Sequence, residues 1–291
     1  MKIGIYGQFF YPVTGKFLDQ LFEVVREKKI DYAIERGFKE ILIKKNMLKQ
    51  ADQVPVFDYL DESYDLFFSI GGDGTILSSL SFLKDYSVPV IGINSGRLGF
   101  LASIHDQEIK YVLHTLFNLE FKISERSLLE VQTSPKTNMH KRLALNEVAL
   151  SRKDTTSMVT IKTWLDGEFV CAYWADGLMI STPTGSTGYS LSCGGPIITP
   201  QTNAMVLTPV APHNLNARPL IFPDNVKVKL QVETRSKHYM ASSDSFITTL
   251  TPDVSIEVNK SAHTVKLALL EGDSFLKTLR KKLLWGEDQR N

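Results

Sequence analysis

Residues 65–94 constrain the fold of this chain more than any other stretch. Asp65-Leu66-Phe67-Phe68-Ser69-Ile70 is short, apolar and aromatic, and predicts a buried strand. Gly71-Gly72-Asp73-Gly74-Thr75 follows at once. Ile76, Leu77, Leu80 and Leu83 then fall at the spacing of a helix's inner face, and Val88-Pro89-Val90-Ile91-Gly92-Ile93-Asn94 predicts a second strand. Strand, glycine turn, helix and strand make a βαβ unit. Its turn stands at the carboxyl end of the first strand, where open α/β sheets bind ligands. Three glycines let backbone amides approach an anion closely, and one carboxylate stands among them. That arrangement suits a phosphate with a hydroxyl beside it, and so points to phosphoryl transfer. A tight strand-to-helix turn with Asp73 as a helix cap would use the same residues.

The familiar nucleotide loops do not describe this turn. Gly15-Lys16 is the pair that could belong to a Walker A loop, but Phe10 stands where its first glycine belongs and Phe17 replaces the Ser or Thr. No GxGxxG stands in a dinucleotide-binding context. The formal charge of the chain is +1, so no global field draws it to nucleic acid or to a membrane, and phosphate recognition must be local. No apolar run approaches the roughly 20 residues of a membrane span. Ile3-Gly4-Ile5-Tyr6 reads as a first strand and not as part of a signal peptide. Cys171 and Cys193 form no metal-ligand spacing and fit reduced thiols in a cytoplasmic protein.

The length of 291 residues suits one large or two ordinary domains. Strand and helix patterns alternate over the first hundred residues. Thr14 could cap a helix with Phe17, Leu18, Leu21, Phe22 and Val25 inward, whereas 40–44 fits either a strand or a helix. From about residue 120 strand-like runs follow one another: 143–150, 158–164, 169–174, 178–181, 204–208, 226–233, 254–258 and 265–270. Asp166-Gly167 between two of them is a hairpin signal. Helical spacing returns at 274–285, with Phe275, Leu279 and Leu283 on one face. The basic cluster Arg280-Lys281-Lys282 reads as that helix's solvated side. The expected architecture is an α/β N-terminal domain over 1–120 that carries the GGDGT loop, then a β-rich, sandwich-like domain over 121–272. A C-terminal helix within 273–291 returns to the first domain.

A second constellation lies in the β-rich part. Residues 181–192 pack hydroxyls and glycines around Tyr189, directly after a strand-like run. Hydroxyls both donate and accept, and glycines let the chain approach a nucleotide. Tyr189 and Leu191 are poor residues for a plain solvent loop. Asn146-Glu147 interrupts an apolar strand pattern, and a glutamate is almost never buried without a partner. Glu147 is therefore expected to face a cleft or a ligand, with an edge-strand charge as the alternative.

Together these residues resemble the NAD kinase family. The matching segments are 71–75, 94–101, Asn146-Glu147, 176–195, 208–213 and 218–220, in the family's order and at its spacing. GGDGT alone is shared with lipid kinases; the Thr-Pro-Thr-Gly-Ser-Thr run at 182–187 with Asn-Glu upstream is far more specific. The resemblance implies ATP-dependent phosphorylation of the adenosine 2′-hydroxyl of NAD. It makes Asp73 the group that orients the acceptor hydroxyl and takes its proton. Gly71, Gly72, Gly74 and Thr75 become the ATP phosphate cradle. The dinucleotide would be held by Asp73, Gly74, Asn146, Glu147, Asp176, Thr187, Gly188, Tyr189, Ser190, Leu191 and Ser192. The family's oligomers imply a homodimer or homotetramer. Gly188 stands where the family commonly has alanine, Phe246 where some members carry glutamine, and Trp174 and Ser157 where bacterial members are often basic or histidine. His213 lies in a matched segment and is expected to support the site without touching the ligand. The motifs contain no obvious lysine, so Mg²⁺ bound largely through phosphates and water is expected to neutralise the triphosphate, with no protein ligand assignable. A lipid kinase would share GGDGT but leaves Asn146-Glu147 without a role. A non-catalytic dinucleotide sensor would not need Asp73.

Overall fold

The computed structural model describes residues 1–10, 12–49, 53–83, 87–94, 99–102, 109–153 and 157–286. The chain divides into two units, Met1–Glu125 with Val265–Asn291, and Arg126–Thr264.

In the first unit the elements run β1 (Lys2–Gly7), α1 (Pro12–Glu27), β2 (Asp31–Glu35), α2 (Arg36–Lys44), β3 (Val56–Phe57), β4 (Leu66–Ile70), α3 (Asp73–Ser79), β5 (Val90–Ile93) and α4 (Ile109–Phe117). The strand pairs β1–β2, β1–β4, β2–β3 and β4–β5 are all parallel. The order is therefore β3-β2-β1-β4-β5. The chain winds outward from β1 to β3, then returns to β1's other side as β4. This reversal between β1 and β4 is the topological switch point at which such sheets bind ligands. Every residue of β4 and of β5 is buried, as apolar runs covered on both faces require. Phe17, Leu18, Leu21 and Val25 of α1 are buried as their spacing predicts. The helix begins at Pro12, however, so Thr14 lies inside its first turn and is not the cap. Segment 40–44 is helical, part of α2. Glu35 caps that helix by accepting from the Gly37 and Phe38 amides.

The second unit holds β6 (Lys122–Ser134, which begins in the first unit), β7 (Leu143–Ala144), β8 (Glu147–Arg152), β9 (Val159–Leu165), β10 (Glu168–Ala175), β11 (Gly177–Ser181), α5 (Tyr189–Ser192), β12 (Ala204–Val210), β13 (Leu220–Pro223), β14 (Val228–Glu233), β15 (Tyr239–Ser243), β16 (Phe246–Leu250) and β17 (Ser255–Leu269). One sheet has the order β13-β12-β11-β8-β15-β16, and β10-β9-β14-β17 forms another. Their inner faces share one core. Val148, Leu150, Ile180 and Leu207 come from the first sheet, and Ile161, Leu230, Ile256 and Val258 from the second. This is sandwich packing. Asp166 (φ 48°) and Gly167 (φ 86°) turn β9 into β10 with Leu165 opposite Glu168, the two-residue hairpin expected there.

Two readings of the pattern change. The run 143–150 is two strands, interrupted at residues 145 and 146. The runs 254–258 and 265–270 belong to one strand, β17, whose polar middle hides its continuity. That strand pairs with β14 at its start and carries the chain into the first unit, where Leu267 pairs with Val90. The last helix, α6 (Phe275–Leu283), follows there. Ser274 caps it by accepting from the Lys277 amide.

Candidate functional site

The glycine turn is built by close approach at one position and left open at two. The Gly71 amide donates to the Ile93 carbonyl (2.8 Å), which ties the end of β4 to β5. A Cβ on Gly71 would stand 2.2 Å from Thr75 Oγ1, so the turn admits nothing larger. Around Gly72 and Gly74 no atom lies within 4 Å of an added Cβ. Packing does not demand glycine there; the open backbone is what glycine contributes. The space is a cavity of about 240 Å³ lined by Gln8, Phe9, Gly71, Gly72, Gly74 and Thr75. Gln8 and Phe9 follow β1, and the glycines follow β4, so the cavity lies at the switch point. The sequence pattern singled out neither Gln8 nor Phe9, because the loop after β1 carries no motif.

Asp73 opens α3, and its carboxylate turns to residues 100–102. Oδ2 accepts from the Phe100 amide (2.7 Å), and Oδ1 from Leu101 (3.0 Å) and Ala102 (3.1 Å). The approach is so close that a Cβ on Gly99 would stand 1.9 Å from Asp73 Oδ1. Three donors leave a carboxylate with lone-pair capacity for one more, such as a hydroxyl. Lys282 Nζ lies 3.9 Å from Oδ2, so one member of the basic cluster on α6 reaches this turn rather than standing only in solvent. Residues 95–98 of the matched segment 94–101 lie outside the described residues.

In the second unit Asn146 and Glu147 stand where β8 starts. A tight turn between β15 and β16 places Asp244 (φ 48°) against them. The Asp244 carboxylate accepts from the amides of Leu145 (2.7 Å), Asn146 (2.9 Å) and Glu147 (2.9 Å), and its own amide donates to the Glu147 carbonyl (3.0 Å). The strand therefore breaks at 145–146 because a side chain replaces the neighbouring strand. With their backbone so held, Asn146 Oδ1 and Glu147 Oε2 are buried without a hydrogen-bond partner. Buried polar atoms in that state cost free energy until a donor reaches them. Burial, reinforced by the charge of Asp244, pushes the Glu147 carboxyl up to about 7. Burial also raises Asp244, to about 6, against the opposing pull of its three amides.

The hydroxyl-rich run is folded tightly against this pair. Thr182 donates its amide to the Asn146 carbonyl (2.9 Å) and its hydroxyl to the Leu145 carbonyl (2.5 Å). A Cβ on Gly185 would stand 2.0 Å from the Asn146 carbonyl oxygen. A Cβ on Gly188 would meet Asn146 Nδ2 and Glu147 Oε2, each at 3.4 Å, so Gly188 lies directly over the pair. The Thr187 hydroxyl donates to the Thr184 carbonyl (3.1 Å), and Ser190 Oγ shares a hydrogen with Thr208 Oγ1 (2.8 Å), tying α5 to β12. Tyr189 is exposed, as is Ser192, and Leu191 is half-buried. Asp176 is held two-pronged by Arg152, Nε to Oδ1 at 2.9 Å and Nη2 to Oδ2 at 3.1 Å. His213 donates its amide to the Trp174 carbonyl, and its ring lies 4.9 Å from the Trp174 ring. The structure thus brings Asn146, Glu147 and Gly188 together, and it adds Asp244. Among the described residues no group of three or more His, Cys, Asp or Glu converges as a metal site.

An α/β unit with an open glycine turn at its switch point is thus followed by a β-sandwich in which Asn146 and Glu147 carry buried, unpartnered oxygens. The ATP-NAD kinase N-terminal domain model matches residues 14–121, and the ATP-NAD kinase C-terminal domain model matches 145–270. Over the full length of both chains, this one is 51% identical to an NAD kinase of Christiangramia forsetii and 46% identical to one of Flavobacterium johnsoniae. The fold is that of yeast NADH kinase, solved in complex with NADH (TM-score 0.85, 23% identity, 99% of this chain and 88% of that one). The chain belongs to the ATP-NAD kinase family.

Proposed function

We propose that this protein transfers the terminal phosphoryl group of ATP to the adenosine 2′-hydroxyl of NAD, giving NADP. The observation that carries this reading is that each family match contains one prepared site. The N-terminal match holds the open cradle at Gly72 and Gly74. The C-terminal match holds the buried, unpartnered oxygens of Asn146 and Glu147.

Gly71, Gly72, Gly74 and Thr75 form the cradle that receives the triphosphate, whose oxygens accept from the open backbone at Gly72 and Gly74. The Gly71 and Thr75 amides already donate to the Ile93 and Gly72 carbonyls and hold the turn's shape. Mg²⁺, held largely through phosphates and water, would supply neutralisation of phosphate charge. Asp73 orients the 2′-hydroxyl and takes its proton as the new P–O bond forms. Phosphoryl transfer needs that proton only late, so alignment of the hydroxyl is the main task of Asp73. Asn146 and Glu147 accept from ribose hydroxyls and the nicotinamide side, with Asp244 fixing their backbone. Thr187, Gly188, Tyr189, Ser190, Leu191 and Ser192 hold the rest of the dinucleotide, and Asp176 works at its edge. A homodimer or homotetramer and a cytoplasmic setting complete the reading. Among the described residues no helix is long and apolar enough to cross a membrane.

The test is NADP formation by the purified chain with NAD, ATP and Mg²⁺. Product with matching ADP supports the reading, whereas folded protein that binds NAD yet makes none overturns it.

A further inference from the structure

We infer that Lys282, on the C-terminal helix, is a catalytic residue whose ammonium contacts the phosphoryl group in flight. The inference rests on the kinase reading above and adds a cation to it.

Phosphoryl transfer is carried by positioning and by charge placed where the transferring oxygens gather it. The motifs at 71–75, 146–147 and 176–195 contain no lysine. The fold supplies one from a distant part of the chain. Lys282 Nζ lies 3.9 Å from Asp73 Oδ2 and 4.6 Å from the centre of the Phe100 ring. Phe100 joins three features of the unit. Its amide donates to Asp73 Oδ2 (2.7 Å), its ring lies 6.1 Å from that of Phe275 at the start of α6, and its face receives the ammonium. The helix ends just beyond, at Leu284 in the left-handed conformation (φ 52°), so Lys282 stands in the last turn of a capped and anchored helix.

This contact does little for stability. Both side chains are about a third exposed, 32% for Lys282 and 27% for Asp73, and such pairs contribute only about 0–1 kcal/mol. A flexible four-carbon stem lets the ammonium leave Asp73 for a phosphate oxygen without moving the helix. In the step itself, the bond from the terminal phosphorus to its bridging oxygen breaks and leaves ADP. The bond to the 2′-oxygen forms, and the hydroxyl proton passes to Asp73. Lys282 neither gives nor takes a proton; it balances the three non-bridging oxygens.

Steady-state kinetics of the full chain test this with Lys282→Met, Lys282→Arg and, as a control from the same basic cluster, Lys281→Met. Lys282→Met is expected to lower kcat about 10²-fold. Its KM for NAD should stay within about twofold of the wild type, because only transition-state charge is lost. Lys282→Arg should recover most of kcat, and Lys281→Met should match the wild type. The inference fails if Lys282→Met keeps kcat within about twofold, if it raises the NAD KM in step with its loss, or if arginine rescues nothing. A wild type that makes no NADP removes the kinase reading, and this inference with it.

Discussion

Asp73 in the first unit and Asp244 in the second each hold three consecutive backbone amides, those of 100–102 and of 145–147. The neighbours of the two clasps differ. Beside Asp73 stands a cation, Lys282, next to a turn whose glycines open on a cavity. Beside Asp244 stands a second carboxyl, Glu147, and burial raises both. A carboxylate with a cation and open backbone suits a reaction in which negative charge moves. A raised carboxyl beside an amide side chain, each with a buried unpartnered oxygen, suits capture of a neutral, hydroxyl-rich group. On the function proposed above, the same local device serves turnover in one unit and recognition in the other.

Substitutions can break this division. The largest effect is expected from Asp73→Asn, which should lower kcat by about 10²–10⁴ while the chain stays folded. Next comes Asp244→Ala, which orphans three partly buried amides. Its KM for NAD should rise about 10²-fold, and the second unit should lose about 1–3 kcal/mol of stability in a urea titration. If Asp244→Ala lowered kcat as much as Asp73→Asn and left KM alone, the division would be wrong.

The cradle sharpens the contrast at smaller scale. Gly72→Ala and Gly74→Ala meet no protein atom within 4 Å, so their melting temperatures should match the wild type. Their KM for ATP should rise about tenfold if, as proposed, the methyl enters space that phosphate occupies. Gly71→Ala meets Thr75 instead, and should cost about 1–3 kcal/mol of stability through overpacking.

The smallest effect concerns pH. Glu147 is raised to about 7 by burial and by Asp244. The folded chain therefore keeps a proton that the unfolded chain releases near its ordinary value of about 4.3. Stability from this group is full below the unfolded value and falls as pH rises through about 7. Glu147→Gln removes that loss. Its melting temperature relative to wild type should be higher at pH 8 than at pH 5 by several degrees. An equal difference at both pH values would contradict the buried-acid account.

Much of this was readable from the chain. β4, the GGDGT turn and β5 announce themselves because an apolar strand, a glycine turn and a helical face are local patterns. Asn146-Glu147 stood out as polar residues in an apolar run. Asp244 did not, because one aspartate in a serine-rich turn looks like any hairpin tip. Its amide partners lie almost a hundred residues away. Lys282 was hidden for a similar reason: a lysine in a basic cluster is usually solvated, and only the fold brings α6 to Asp73. β15 and β16 were missed because their alternating small and polar residues carry little apolar signal, although Tyr239 at the start of β15 is fully buried.

The most direct test of the division is to measure NAD affinity and NADP formation together on wild type and Asp73→Asn. The account predicts that the variant binds NAD within about threefold of wild type while its turnover falls at least about 10²-fold. Loss of NAD binding in parallel with turnover would contradict it, and would place Asp73 among the groups that capture the dinucleotide.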